Sequence, residues 1–258
     1  MTRIIDTHLH LNVKLSSDLR VIVDSLDNDL ITNNVSRGIV LHLLAQKWSY
    51  KIVGELLMKS KTLKGFQNIN PLLDTKYREL EDGVKNFGYI GLKLHPRMQE
   101  FKIDDPRIVE ICKYAGELNV PVLLDAFPDG SAIINGFSVN DFAKVAIACP
   151  GTTFIWAHFG GHHAIDFMMV AKRLPNVYLD FSYSWLYYRG SSVVEDLAYA
   201  FKSMQYSKIF HGSDYPDRSI SNSLVLSFEN FAKFGIEGVN LEKLVFINAK
   251  EFFGWSDL

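Results

Sequence analysis

Thr153-Phe154-Ile155-Trp156-Ala157-His158-Phe159-Gly160-Gly161 is the stretch that decides the architecture. Residues 153–157 carry no charge and are almost wholly apolar, and the run then stops on a histidine followed two residues later by paired glycines. An unbroken apolar run suits a strand buried on both faces, which belongs to a parallel sheet covered by helices. Pro121-Val122-Leu123-Leu124-Asp125 has the same form and also ends on a polar side chain. Read outward from these two, the chain offers eight such strands, at 3–8, 38–44, 65–70, 89–95, 121–125, 153–158, 177–181 and 208–214. Helical patterns lie between most of them. At 105–118 the apolar positions Ile108, Val109, Ile111, Cys112 and Ala115 follow an Asp105-Pro106 start, with proline at the first helical position. Segments 140–148 and 164–174 follow the same logic. Successive strands are spaced by roughly 25–35 residues, the size of a βαβ unit. The length, 258 residues, is close to the roughly 250 of one β/α barrel. A single (β/α)8 TIM barrel over residues 1–258 is the simplest account. A doubly wound open sheet is the runner-up, but no glycine-rich fingerprint follows any strand.

Composition narrows the function classes. Apolar residues make up 48% of the chain, enough for a large core, and the net charge of −2 encourages neither nucleic-acid nor membrane-surface binding. No apolar run is long enough to span a bilayer. Cys112 and Cys149 lie in no paired motif and read as reduced core thiols. Met1-Thr2-Arg3 leads straight into the first strand without a secretory leader. The expectation is a soluble cytoplasmic protein with a small-molecule partner; a homo-oligomer is left open.

Polar side chains gather at the predicted carboxyl ends of the strands, where barrels of this kind carry their active sites. His8 and His10, two residues apart, point to one side of the first strand, and neutral imidazole is the commonest metal ligand. Lys93 and His95 share that spacing in the fourth strand. Asp125, His158 and Asp180 end or nearly end the next three, and the eighth closes with His211-Gly212-Ser213-Asp214. Burying polar groups without partners costs on the order of 2–7 kcal/mol each, so six strand ends carrying them together are hard to explain as packing. Each also has a plainer reading. His8 and His10 could be a hydrogen-bonded plug. Asp214 could cap the turn at Asp-Tyr-Pro. Lys93 could pair with Asp125 or Asp214. His95 precedes Pro96, at the limit of its strand. His211 falls on the opposite face from Asp214 and reads as core, and His42, His162 and His163 read as structural or surface residues.

The ordered set Asp6-Thr7-His8-Leu9-His10, Gly91-Leu92-Lys93-Leu94-His95-Pro96, Trp156-Ala157-His158-Phe159-Gly160-Gly161, Asn176-Val177-Tyr178-Leu179-Asp180, Gly212-Ser213-Asp214-Tyr215-Pro216 and Asn248-Ala249 resembles the amidohydrolase superfamily. More narrowly it resembles the amidohydrolase 2 branch, which includes aminocarboxymuconate semialdehyde decarboxylase and several lactonases. The resemblance implies a barrel with one catalytic divalent metal, usually zinc, held by His8, His10 and Asp214, with His158 as an acid/base or second-site ligand. In binuclear relatives a lysine of the fourth strand is carbamylated and bridges two metals. One departure stands out: where the family has a histidine at the end of the fifth strand, this chain has Asp125. A carboxylate is an accepted ligand, and it shifts preference toward harder ions, so the expected cofactor is one zinc or manganese ion with Asp125 as a further ligand.

The leading expectation is therefore hydrolysis of a small carboxylated lactone, ester or amide by a metal-activated water. Asp214 would accept the water proton and His158 would orient the carbonyl and protonate the leaving group. Lys93 or Arg97 would hold a substrate carboxylate, beside His95 and Tyr183. Nonoxidative decarboxylation of an aromatic or enoic acid is the alternative, since it uses the same ligands, and Tyr183, Trp185, Tyr187 and Tyr188 could wall such a pocket. A catalytically silent barrel with a binding role is the third.

Overall fold

The computed structural model describes residues 3–258; Met1 and Thr2, read above as leading into the first strand, lie outside the described residues. Its strands are β1 (Ile4–Leu9), β2 (Val35–Leu41), β3 (Leu63–Asn68), β4 (Tyr89–Leu94), β5 (Val122–Leu124), β6 (Phe154–Trp156), β7 (Val177–Asp180) and β8 (Ile209–Phe210). Each pairs in parallel with the next in chain order. The ring closes between β1 and the end of β8: Thr7 N donates to His211 O at 2.9 Å, and His10 N to Tyr215 O at 2.7 Å. The fold is the (β/α)8 barrel that the alternation of strands and helices predicts.

The helices form where the sequence gives them a start and an apolar face. Leu19–Thr32 buries Leu19, Ile22, Val23, Leu26 and Leu30, a three-to-four spacing, and its Asp18 side chain accepts from Arg20 N. The predicted 105–118 helix is Pro106–Glu117, capped by Asp105 with proline in its first turn. The predicted 140–148 helix is Val139–Ala148, capped by Ser138, and 164–174 is Ala164–Ala171.

The strand ends differ from expectation where the backbone turns. β6 stops early because the chain enters left-handed backbone at His158 (φ 62°), whereas β8 is only Ile209–Phe210 and the left-handed Asp214 (φ 57°) lies further along the turn. β4 stops at Leu94, so His95 becomes the N-cap of a short helix, Pro96–Gln99. β2 starts at Val35 because the polar Ser36 and Arg37 stay in the strand; the Arg37 guanidinium pairs with Asp257 near the carboxyl terminus. Cys112 and Cys149 are buried and unbridged. No helix among the described residues is long and apolar enough to cross a membrane.

Candidate metal centre

β1 delivers His8 and His10 to the mouth of the barrel, and the turn after β8 brings Asp214 back against them. Asp214 N donates to His8 O at 3.0 Å, so the backbone itself fixes the carboxylate beside the imidazoles. Gly212 makes room for this approach: a Cβ there would lie 2.5 Å from His8 Cβ and 2.8 Å from Ser182 Cβ.

The ring protons can be placed from their partners. His8 Nδ1 lies 3.0 Å from Asp180 Oδ2, and His10 Nδ1 lies 3.1 Å from Leu41 O. A carboxylate and a carbonyl can only accept, so both Nδ1 atoms carry a proton, and in the neutral ring each Nε2 then carries the lone pair. Asp214 Oδ1 sits 3.2 Å from His8 Nε2 and 3.5 Å from His10 Nε2. His8 Nε2 is buried and makes no hydrogen bond. Three lone pairs thus face one another with no proton between them, an arrangement that a cation completes. These three ligand atoms lie within 4.8 Å of one another, and the imidazole and carboxylate set suits zinc or manganese.

The charges agree with this use. Burial pushes the His8 pKa down to about 4, against the pull of Asp180, so the ring is neutral as a ligand must be. Burial opposes ionisation of Asp214, but the surrounding imidazoles of His10, His8 and His158 hold its carboxyl well below the ordinary range. Asp180 likewise stays ionised: burial works against it, and His8 and the other partners bring it down to about 2.

A second group, His8, His158 and Asp180, also falls within 4.8 Å, but hydrogen bonds account for it. His158 Nδ1 donates to Ser182 O at 3.0 Å, and Ser182 Oγ, 3.0 Å from the Nδ1 atoms of both histidines, donates to Asp180. His158 N adds a bond to Asp180 Oδ1 at 3.2 Å. This cluster orients the imidazoles and leaves His158 Nε2 free.

Asp125 stands apart from the three converging atoms. Its carboxylate receives Arg97 Nη2 at 2.8 and 3.2 Å and Phe127 N at 3.2 Å, with His95 Nε2 at 3.3 Å. His95 Nδ1 accepts from Met98 N, so its proton is on Nε2 and points at Asp125. Burial alone would raise the Asp125 pKa; His95, His158, Lys93 and Arg97 together drive it far below the usual range. Arg97 is also bound to Asp129 at 2.5 Å, so its fork is engaged by two carboxylates. Lys93 is fully buried and enters none of the ion pairs that Asp125 and Asp214 form. Burial lowers its pKa against the charges of Asp125, Asp180 and Asp214. Tyr183 lies at the rim, its ring 4.9 Å from those of Phe127 and Tyr187 and 6.1 Å from that of His158. A cavity of about 640 Å³ opens beside Asp125 and Arg97, walled by Phe101, Phe127, Ala132 and Phe142.

Among the remaining histidines, His42 is buried between Trp48 O and Asn68 N, and His211 is buried against Phe181, in keeping with structural readings. The supporting acids carried weaker signals. Asp180 stood out as a polar strand end, without a role. Asp6, two residues before His8 and so in phase with it, accepts His8 N and Ser213 N at 3.1 and 3.0 Å.

A family model described as amidohydrolase matches residues 61–255. The chain belongs to the amidohydrolase-2 family. The two histidines of β1 lie outside the matched segment, so their place in this amidohydrolase rests on the geometry above. No curated protein sequence matches the chain. Among solved structures, the amidohydrolase is similar to an Acinetobacter baumannii protein described as a probable 2-pyrone-4,6-dicarboxylic acid hydrolase with citric acid bound (19% identity, 99% of this chain and 100% of that one, TM-score 0.67). It is also similar to a Burkholderia multivorans amidohydrolase with bound zinc (14% identity, 97% and 99%, TM-score 0.67). A third is 5-carboxyvanillate decarboxylase from Sphingomonas paucimobilis (12% identity, 98% and 99%, TM-score 0.65). At these identities the likeness is one of fold, and it spans both hydrolases and a decarboxylase.

Proposed function

We propose that this amidohydrolase is a metal-dependent hydrolase that cleaves a small carboxylated lactone, ester or amide. The observation that carries the reading is the convergence of His8 Nε2, His10 Nε2 and Asp214 Oδ1 as bare lone pairs, with both Nδ1 protons already donated elsewhere. These three residues would hold one zinc or manganese ion. Bound there, a divalent ion supplies Lewis acidity toward a carbonyl oxygen and toward water. The rest is the work of side chains. Asp214, ionised and partly exposed, takes the proton that water loses as its oxygen bonds to the substrate carbonyl carbon. His158 Nε2, its one free ring nitrogen, relays that proton to the leaving oxygen or nitrogen as the scissile bond breaks. Lys93 provides a buried positive charge for the substrate carboxylate. Arg97 is less suited to that task than its residue type suggests, because Asp125 and Asp129 already engage both of its Nη groups. Phe127 and Tyr183 meet edge to face and give the rim an aromatic surface that suits an unsaturated substrate. The unbridged buried thiols fit a cytoplasmic setting.

One observation favours a second reading, nonoxidative decarboxylation: the aromatic rim of Phe127, Tyr183 and Tyr187 suits an aromatic or enoic acid, with His158 then supplying the proton that replaces CO₂. The metal-loaded protein should be offered a panel of carboxylated lactones and a panel of aromatic acids. Acid release on ring opening without gas supports hydrolysis. Evolution of CO₂ from the second panel replaces that reading with the lyase, and no turnover of either panel by a fully loaded protein removes both.

A further inference from the structure

We infer that the Arg97 guanidinium is a built-in cation that limits the centre to one metal ion, by occupying the carboxylate of Asp125 where a second ion would otherwise bind. The inference rests on the reading of His8, His10 and Asp214 as the ligands of the first ion.

Asp125 is a fully buried carboxylate at the end of β5, and a buried charge must be compensated. Next to it lies a second pair of facing acceptors. His158 has its proton on Nδ1, donated to Ser182 O, so it turns a bare Nε2 toward Asp125 Oδ1 across 3.8 Å. A carboxylate oxygen and an imidazole lone pair in this relation form half of a metal site, as they do at His8 and Asp214. The difference is that this carboxylate already carries a cation, with Arg97 Nη2 on both of its oxygens at 2.8 and 3.2 Å.

The guanidinium is fixed in that place. Asp129 binds its other Nη at 2.5 Å, and Asp129 is itself anchored by accepting Ala132 N at 2.8 Å as the N-cap of the helix Gly130–Ile134. The Phe127 ring lies 5.8 Å from the guanidinium carbon. Two carboxylates therefore clamp one arginine across the loops after β4 and β5. A guanidinium cannot lose its charge, so its repulsion of an entering cation is permanent. Without it, Asp125 loses its one direct ion pair with a permanent cation and keeps only the contacts of Phe127 N and His95 Nε2, beside a free imidazole nitrogen, and a divalent ion is the natural replacement.

Metal content decides the matter without an assay of turnover. Wild type, Arg97→Gln, Arg97→Lys and the Arg97→Gln/Asp125→Asn double variant are dialysed to equilibrium against zinc and, separately, manganese, and bound metal is counted by elemental analysis. The expected contents are one equivalent in wild type, two in Arg97→Gln with the second bound more weakly, and one in each of the other two. One equivalent in a folded Arg97→Gln, two in wild type, or two in the double variant overturns the inference. A wild type that takes up none overturns the reading of the centre and the inference with it, and the wild-type measurement alone tells these cases apart. If Arg97→Gln fails to fold by circular dichroism, Asp125→Asn serves instead. It should keep one ion, and loss of that ion would put Asp125 among the ligands and overturn the inference.

Discussion

A neutral imidazole has a single proton to place, and in this barrel its placement determines what each histidine can do. Asp180 takes the His8 proton and the Leu41 carbonyl takes that of His10, leaving both Nε2 atoms bare toward Asp214. Partners of this kind also raise ligand basicity, and their loss typically costs 10–100-fold in metal affinity. Asp180→Ala should therefore weaken metal binding by about 10–100-fold, and Asp180→Asn, which keeps an acceptor without the charge, should fall between it and wild type. Competition titration with a chromophoric chelator reads the order; equal affinities in all three proteins would deny Asp180 this role. The spacing of His8 and His10 and the position of Asp214 at a strand end were legible in the chain. The task of Asp180 was not, because it depends on which ring nitrogen the carboxylate meets. Nor was the clamp on Arg97, since Arg97 lies in the four-residue helix Pro96–Gln99 and Asp129 caps another short one, both too brief to carry a periodic signal.

At the scale of elements, the site is built where strands give way to turns. The four residues His158, Phe159, Gly160 and Gly161 all adopt positive φ, which ends β6 at once and turns the His158 side chain toward Ser182 and Asp125. After β8 the constraint is space rather than torsion. A methyl group on Gly212 would press on the Cβ atoms of His8 and Ser182 at 2.5 and 2.8 Å. Overpacking of a buried contact costs about 1–3 kcal/mol, and here relief requires His8 to move. Gly212→Ala should lower metal affinity at least as far as Asp180→Asn does while the barrel still folds, as seen by paired metal titration and thermal melting. Full metal affinity in that variant would mean that the β8 turn has slack. The positions of the strands were readable from apolar runs, but their ends were not: hydrophobicity marks what is buried and is silent on where a left-handed residue interrupts the pairing, as it does at His158.

The whole molecule keeps several ionisable groups in its interior, and its acid sensitivity follows from them. Burial holds His8 and His211 at about 4 and His95 at about 3, against an ordinary value near 6.5. Between pH 6.5 and those values the unfolded chain binds protons that the folded chain refuses, so stability is fully present above about pH 6.5 and declines on acidification. Asp6, raised by burial to about 7, acts in the opposite direction. Three histidines against one carboxyl leave a net loss on the order of a few kcal/mol between pH 7 and 4.5. Urea denaturation at the two pH values, with a chelator present to remove metal linkage, should give a lower midpoint at pH 4.5; an equal or higher midpoint would contradict the burial of these rings. The barrel itself was legible because the alternation of strand and helix repeats over the full length, which no local misreading of an end can hide. Its closure has a consequence for assembly. The bonds that join the first strand to the last run through the same residues that converge on the centre: His8 O receives Asp214 N, and His10 N reaches Tyr215 O. A nascent chain holds both histidines well before Asp214 is made, and it gains the carboxylate and the closing bonds only after β8. With the proposed ligand set, capture of the ion is a late event in biosynthesis, since a growing chain that has not yet joined its two ends holds the imidazoles without the carboxylate.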